Sequence, residues 1–349
     1  MRQKYHFISM KLLMRLKDWR SYFPLKKLEM TQAQSKVKSL DEFYSSGWMS
    51  INKPLEFSSF DVVRKLRKIL SIKKIGHAGT LDPLATGILP IAFGCATKTI
   101  PYLVSSKKKY KFTILWGLKT KSHDLEGIVV EESEFIPTKA NIIKTLDEFK
   151  GEFYQKPPKF SAVKVDGQRA YKLARQGLDF KLEEKKVSLY DYILLDHSDN
   201  KTELSVTVGK GFYIRSLVRD VCEKLQVLGV ISTLERVELG PFSNENTFSL
   251  ESIEKLVHSA PAGMVGGNLL VPLSKVLDDI PALPISDKEA KRFQQGQLLI
   301  NNDLAKHSLL GSEVLLLNDK RPIGLAIVCE NSFKPKKVFS EEIFNLRSI

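Results

Sequence analysis

The sequence predicts an α+β fold with a small β-rich module at its C-terminal end. Strand-like and helix-like segments alternate without regular βαβ repetition. A run of small residues from Ser259 through Gly267 breaks the periodic pattern late in the chain. Beyond it, Val314 to Leu317 and Ile323 to Val328 flank the polar stretch Asn318-Asp319-Lys320-Arg321, the pattern of a β-hairpin.

The first strand is expected at Trp48 to Ile51, running into Asn52-Lys53-Pro54, where proline ends it. A helix follows. Ser58 or Ser59 can cap it, and Val62, Val63, Leu66, Ile69 and Leu70 recur at helical spacing. Arg64, Lys65, Arg67 and Lys68 make its outer face basic. From Tyr110, the residues Phe112, Ile114 and Trp116 alternate with polar ones, as in a half-buried strand. Further strands are predicted at Phe160 to Val165, closed by an Asp166-Gly167 turn, and at Leu204 to Val208. Ile214, Leu217, Val218, Val221, Cys222 and Leu225 form an apolar stripe, so a helix should begin just after Gly211-Phe212-Tyr213.

These elements divide the chain into a basic extension over 1–45, expected to be poorly ordered, a main domain over 46–258, a linker over 259–269 and a module over 270–349. At 349 residues and 43% hydrophobic content the chain can bury a sizeable core. Its formal charge of +14 points to a polyanionic partner, nucleic acid or an anionic membrane, since clustered Lys and Arg displace counterions from phosphates. Residues 1–39 carry +8 of that excess and read as a transit peptide, an RNA-touching tail, or sequence upstream of a true start at Met30. No apolar run reaches the roughly 18 to 20 residues that span a bilayer, so a soluble cytoplasmic protein is expected. Cys95, Cys222 and Cys329 form no C-x-x-C pair, and the histidines show no ligand spacing, so no metal and no disulfide framework is predicted.

Chemistry concentrates in Gly76-His77-Ala78-Gly79-Thr80-Leu81-Asp82-Pro83-Leu84-Ala85-Thr86-Gly87, a glycine-flexed loop that lets backbone approach a ligand. Local chemistry alone also allows Asp82 as a helix N-cap before Pro83, and His77 as a loop histidine bonded to backbone. Arg215 is expected in a first helical turn, at the positive end of the dipole, a mildly unfavourable place that suggests a nearby anion but equally allows a solvated surface Arg. Between Lys150 and Lys186, ten basic residues meet five acidic ones, interleaved with Phe153, Tyr154, Phe160, Tyr171 and Phe180. Cations with aromatics suit RNA phosphates and unstacked bases, although charge runs are also common on solvated faces.

Five blocks in order resemble the TruB family of tRNA pseudouridine synthases: Asn52-Lys53-Pro54 with Ser58-Ser59, Gly76 to Gly87, Tyr110 to Gly127, Gly151 to Gly177, and Gly211 to Arg215. The resemblance covers about residues 46 to 245, and the G-H-A-G-T-L-D-P-x-A-T-G block is its most specific part. It implies a pseudouridine synthase-like mixed, mostly antiparallel sheet with flanking helices and an RNA-binding insertion at about 150–186, while 270–349 looks like a PUA-like module. It further implies isomerisation of uridine 55 in the T arm of tRNA, without cofactor or metal, by a monomer. Asp82 would be the essential carboxylate, Arg215 its partner, and Tyr110 the ring that packs on the target base. Lys53, His77 and Tyr213 would contact the RNA. Glu56 departs from the family's K-P-x-G-x-S-S element, which carries Gly there, and so bears on that turn's backbone. The alternative is a tRNA chaperone of the same fold that performs no chemistry.

Overall fold

The computed structural model describes residues 46–259, 270–300 and 309–339. The expectations for the extension 1–45 and for linker residues 260–269 fall outside the described residues. The chain enters as β1 (Gly47–Lys53), α1 (Ser59–Leu70), β2 (Ile75–His77) and β3 (Ala85–Phe93). It continues through α2 (Ile100–Ser105), β4 (Lys108–Trp116), the hairpin of β5 (Leu118–Thr120) and β6 (Val129–Glu132), and α3 (Lys139–Asp147). Next come β7 (Gly151–Gln155), the short ladder of β8 (Lys164–Val165) and β9 (Gln168–Arg169), and α4 (Ala170–Arg175). The long hairpin β10 (Lys185–Ser198) and β11 (Lys201–Val208) leads to α5 (Ile214–Leu225) and β12 (Gly229–Leu239). β13 (Phe242–Ser243), β14 (Thr247–Phe248) and α6 (Leu250–Ser259) follow. The C-terminal part holds α7 (Leu273–Val276), β15 (Ala282–Pro284), α8 (Asp287–Gln294), β16 (Leu299–Ile300), β17 (Glu313–Asn318), β18 (Arg321–Cys329) and β19 (Ser332–Val338).

One ten-stranded sheet runs β14-β1-β3-β12-β4-β11-β10-β7, with β2 added to β3 and β13 to β12. Only the pairs β1 with β14 and β3 with β12 are parallel, so the sheet is mixed and mostly antiparallel, as expected. The order explains the site: β11 leads into α5, which crosses β4 and delivers the chain to β12, directly beside β3. The first turn of α5 thereby meets the loop before β3.

β1 and β3 are buried on both faces, which is why they are apolar along nearly their whole length. Met49, Ile51, Leu89 and Ile91 join a core with Val62, Leu66, Leu217 and Val221 of the helices. Trp48, Ile88 and Ala92, pointing the other way, join Leu315, Leu325 and Phe339 of the C-terminal part. The expected β-rich module is a five-stranded sheet in the order β15-β17-β18-β19-β16, and its hairpin β17–β18 turns at Asp319-Lys320, both with positive φ. Tyr102 of α2 bonds Glu313 across this shared core, and Lys337 donates to the Lys98 carbonyl at 2.9 Å.

Two expectations need correction. Phe160 to Val163 is not strand; only Lys164-Val165 pairs, with Gln168-Arg169. The carbonyls of Phe160, Ser161 and Val163 are instead taken by Arg215, Tyr171 and Ala170, leaving no ladder for that stretch to build. Asp82 caps no helix: Ala85 N–H bonds the Asp82 carbonyl at 3.0 Å, closing a turn that feeds β3.

Candidate active site

The loop carrying Asp82 is fixed on both sides by the Lys53 to Ser59 segment. Ser58 caps α1 in a capping box with Asp61, which leaves Ser59 for another task. Buried Ser59 accepts the Leu81 N–H at 2.8 Å and donates to the Leu81 carbonyl at 3.2 Å. On the other side of Asp82, the Pro83 carbonyl accepts from Lys53 Nζ at 3.1 Å and from the Glu56 N–H at 3.0 Å. Glu56 keeps the turn at φ +67°, the left-handed backbone that a glycine would adopt freely.

Lys53 is fully buried, and its ammonium donates also to the Pro54 and Phe57 carbonyls. With its three donors taken, it braces the Asp82 loop. Burial lowers its pKa from 10.5 to about 8, against the opposing pull of Glu126, Asp82 and Asp61.

Two glycines of the loop pack closely against an internal neighbour, Arg236. Gly79 has φ +73°, and a Cβ there would sit 3.0 Å from Arg236 Nη1. A Cβ at Gly87, φ +92°, would lie 2.3 Å from the Arg236 carbonyl on the adjoining β12. Arg236 is fully buried and donates to the Gly79 carbonyl at 2.8 Å and the Ile88 carbonyl at 2.7 Å, and it lies 3.5 Å from the Tyr110 hydroxyl. Tyr110 itself stands on β4 with its ring in the main core, 8% exposed. Arg236 thus links Tyr110 to the backbone three residues before Asp82.

Arg215 occupies the first turn of α5, and the anion its position suggested is Asp82. Its Nε and Nη2 lie 2.9 and 2.8 Å from Asp82 Oδ2, so Oδ1 takes no part in the pair. The guanidinium is 5% exposed, whereas the carboxylate keeps 34% of its surface. Nη2 also donates to the Phe160 carbonyl at 2.9 Å, and Nη1 donates to the Ser122 carbonyl at 3.3 Å. A second carboxylate, Asp124, lies 3.5 Å from Nη1 and is 2% exposed. Asp124 is held by the Ser122 hydroxyl and the Glu126 N–H, and its loop is pinned to β12 through a bridge with Ile231. Burial and the charges of Asp124 and Asp82 push the Glu126 carboxyl up, with Arg215 and Lys53 opposing.

Tyr213 immediately precedes α5, and burial and the neighbouring Asp82 charge push its phenol up. His77 ends β2, paired with Ile91, and its buried Nδ1 has no hydrogen-bond partner. Burial and the Arg236 charge lower its pKa, so at neutral pH it offers a neutral ring. In the 150–186 segment, Phe153 packs edge-on against Phe149 and Phe212, Arg175 lies over the Tyr171 ring, and Tyr154 is 68% exposed.

The structure therefore joins Asp82 to Arg215 directly, places Tyr213 within reach of their charges, and ties Lys53 and Tyr110 to the same loop through carbonyls and Arg236. Asp124, Arg236 and Gln155 were not singled out from the sequence, although the first and last lie inside the matched blocks. Arg236 left one signal: it falls on an inward position of a strand otherwise filled by Leu234 and Leu239. Among the described residues, no group of three or more His, Cys, Asp or Glu is arranged to hold a metal, and no helix is long and apolar enough to cross a membrane.

A sheet of this topology, with a partly open carboxylate clamped by a buried arginine at its centre, meets three comparisons. The family model described as TruB family pseudouridylate synthase (N terminal domain) matches residues 67–214. The chain is 43% identical to tRNA pseudouridine synthase B of Caulobacter vibrioides over 256 residues, covering 73% of this chain and 81% of that one. It is 39% identical to the protein of the same name from Rhodospirillum rubrum over 298 residues, covering 84% and 96%. The fold of a solved Cbf5-Nop10-Gar1 complex matches 90% of this chain and 92% of that one, with TM-score 0.66 at 20% identity. The chain belongs to the TruB family of pseudouridine synthases.

Proposed function

We propose that this protein isomerises uridine 55 in the T arm of tRNA to pseudouridine, with Asp82 as the catalytic carboxylate. The observation that carries this assignment is the pair formed by Asp82 and Arg215. Both bonds from the buried guanidinium end on Oδ2, so the carboxylate is oriented while its side chain keeps 34% of its surface exposed. The family membership of the chain supplies the reaction, and its relatives carry tRNA in their names.

The isomerisation breaks the bond from ribose C1′ to uracil N1, turns the base, and joins C1′ to C5. The C5 proton leaves and N1 gains one, so atoms balance without any donor or redox partner. Asp82, whether it attacks C1′ or removes a ribose proton, must be ionised, and the Arg215 guanidinium stabilises that charge. Tyr110 would pack on the base once flipping brings it into the cleft, offsetting part of the few kcal/mol that extrusion typically costs. Tyr213 and His77 would line the entry, while Lys53 holds the loop. The basic and aromatic side chains of 150–186 would track phosphates and read shape. We expect a monomer acting in the cytoplasm with tRNA.

Purified protein incubated with unmodified tRNA transcript should give a pseudouridine signal at the T-loop uridine by carbodiimide labelling and primer extension. Asp82→Asn should abolish it. A full signal from Asp82→Asn would remove the carboxylate from the chemistry, and no signal from the wild-type protein would favour the chaperone.

A further inference from the structure

β7 ends at Gln155, which pairs with Lys185 of β10 and whose side chain turns inward, leaving 1% of it exposed. The carboxamide oxygen accepts the Tyr213 N–H at 2.9 Å, and the carboxamide nitrogen donates to the Tyr213 carbonyl at 3.2 Å. One side chain therefore grips both polar groups of the backbone residue at the N-cap of α5. Tyr213 supplies no side-chain cap of its own, and this external grip satisfies its N–H, one of the donors left without a partner inside the helix.

The residues after Gln155 continue the attachment. The Lys156 carbonyl accepts from Ser216 Oγ at 2.8 Å and from Arg219 Nη2 at 3.0 Å. The Phe160 carbonyl accepts from Arg215 Nη2 at 2.9 Å, and that same nitrogen lies 2.8 Å from Asp82 Oδ2. The start of the basic segment is thus fastened to the first turns of α5, at the nitrogen that holds the catalytic carboxylate. A displacement of the segment at Phe160 changes what Nη2 is bonded to, and a displacement at Gln155 changes where the helix begins.

We propose that Gln155 is a positioning residue of the active site. It sets the start of α5 so that Arg215 reaches Asp82, and it couples the seating of the 156–186 segment on RNA to the alignment of that carboxylate. The inference rests on the assignment of Asp82 and Arg215 as the reacting pair. Gln155 touches neither substrate nor reacting atoms, so its effect belongs in the rate and not in RNA affinity. A misplacement of about 1 Å caused by a remote change can cost roughly 100-fold in rate.

The test compares Gln155→Met, which keeps length and volume but makes neither bond, with Gln155→Glu, which keeps the acceptor for the Tyr213 N–H and loses the donor. Single-turnover rate at saturating tRNA transcript, tRNA affinity by filter binding, and Tm are measured for each, and Gln155→Met is repeated in an Arg215→Lys background. The expected result is a fall of about 10- to 100-fold in the rate of Gln155→Met at unchanged tRNA affinity. Gln155→Glu should be intermediate, and little further loss is expected beside Arg215→Lys, because both changes act on one guanidinium. A full rate in Gln155→Met overturns the inference. So does a loss that tracks Tm and adds fully to that of Arg215→Lys, which would make Gln155 a packing residue. Should Gln155→Met not fold, Gln155→Glu carries the same comparison. An inactive Asp82→Asn beside a fully active Gln155→Met sinks this inference alone, whereas an active Asp82→Asn sinks both.

Discussion

Glu56→Gly should stabilise the protein, and the gain can be worked from one dihedral. Glu56 is exposed, and its φ of +67° puts it in the left-handed region. That conformation costs an L-residue roughly 1–2 kcal/mol, because Cβ crowds the following carbonyl. Glycine removes the clash but adds back about 0.5–1 kcal/mol of backbone entropy lost on folding. The net gain is about 0.5–1 kcal/mol, which for a chain this long raises Tm by about 1–3 °C. The turn itself survives, because it is held by the Glu56 N–H on the Pro83 carbonyl and by Lys53, none of which involves the Glu56 side chain. Urea denaturation of wild type, Glu56→Gly and Glu56→Ala separates backbone from charge. Alanine deletes the carboxylate but keeps the strain, so only glycine should gain. Equal stability of the alanine and glycine variants would refute the account of this turn.

Three further outcomes are expected. Tyr110→Phe should leave tRNA affinity intact and lower the single-turnover rate by about 100-fold if the hydroxyl moves a proton, and a full rate would exclude that role. Burial holds His123 at a pKa of about 4, helped by Arg219 and Arg215, against 6.5 for an ordinary imidazole. Below 6.5 the unfolded chain binds the proton first, so the contribution of His123 to stability is present above that pH and is lost as pH falls towards 4, by up to about 3 kcal/mol. His123→Asn, which tolerates the φ of +64°, should flatten urea midpoints over that window, and an unchanged slope would refute it. For Lys53 the folded pKa of about 8 lies below the ordinary 10.5, so the unfolded chain again holds the extra proton between them. Its contribution to stability therefore rises with pH over that window and is a cost of about 3 kcal/mol at neutral pH. Lys53→Met should lack that rise in urea midpoints measured from pH 8 to 10.5.

Much of the fold was legible because its periodicities are clean. The stripe from Ile214 to Leu225 is α5, and the alternation from Tyr110 to Trp116 lies within β4. Phe160 to Val163 misled because its alternation resembles a strand while its carbonyls serve Arg215 and α4, partners that are distant in sequence or of another element type. The pairing of Asp82 with Arg215 came from the resemblance and from the dipole argument, not from spacing, since 133 residues separate the two. Asp124 and Arg236 stayed hidden because what distinguishes them is burial. A charged residue in a loop or strand reads as solvated until packing shows that water cannot reach it. Lys53 was expected at the substrate from the resemblance alone, and its burial too shows only in the packed structure.

β12 carries no motif, yet it organises the site. It runs parallel to β3 just after Asp82 and antiparallel to β4 at Tyr110, and it receives the Asp124 loop at Ile231. α5, with Arg215, leads into its first residue. Four segments far apart in sequence therefore converge on a single strand at the middle of the sheet, where main-chain ladders fix them. Side chains at such a place need little freedom, and those found there have little: Arg236 bonds two carbonyls, Lys53 three, and Arg215 two besides its carboxylates. Using cations to bind backbone carbonyls is a costly way to build a core, because each charge must be desolvated. What it provides is placement, since a guanidinium bonded to several elements fixes their relative positions where a leucine would tolerate sliding. Asp82 is less confined: the guanidinium holds it through Oδ2 and 34% of its side chain stays exposed, which suits the bond-making proposed for it at a ribose.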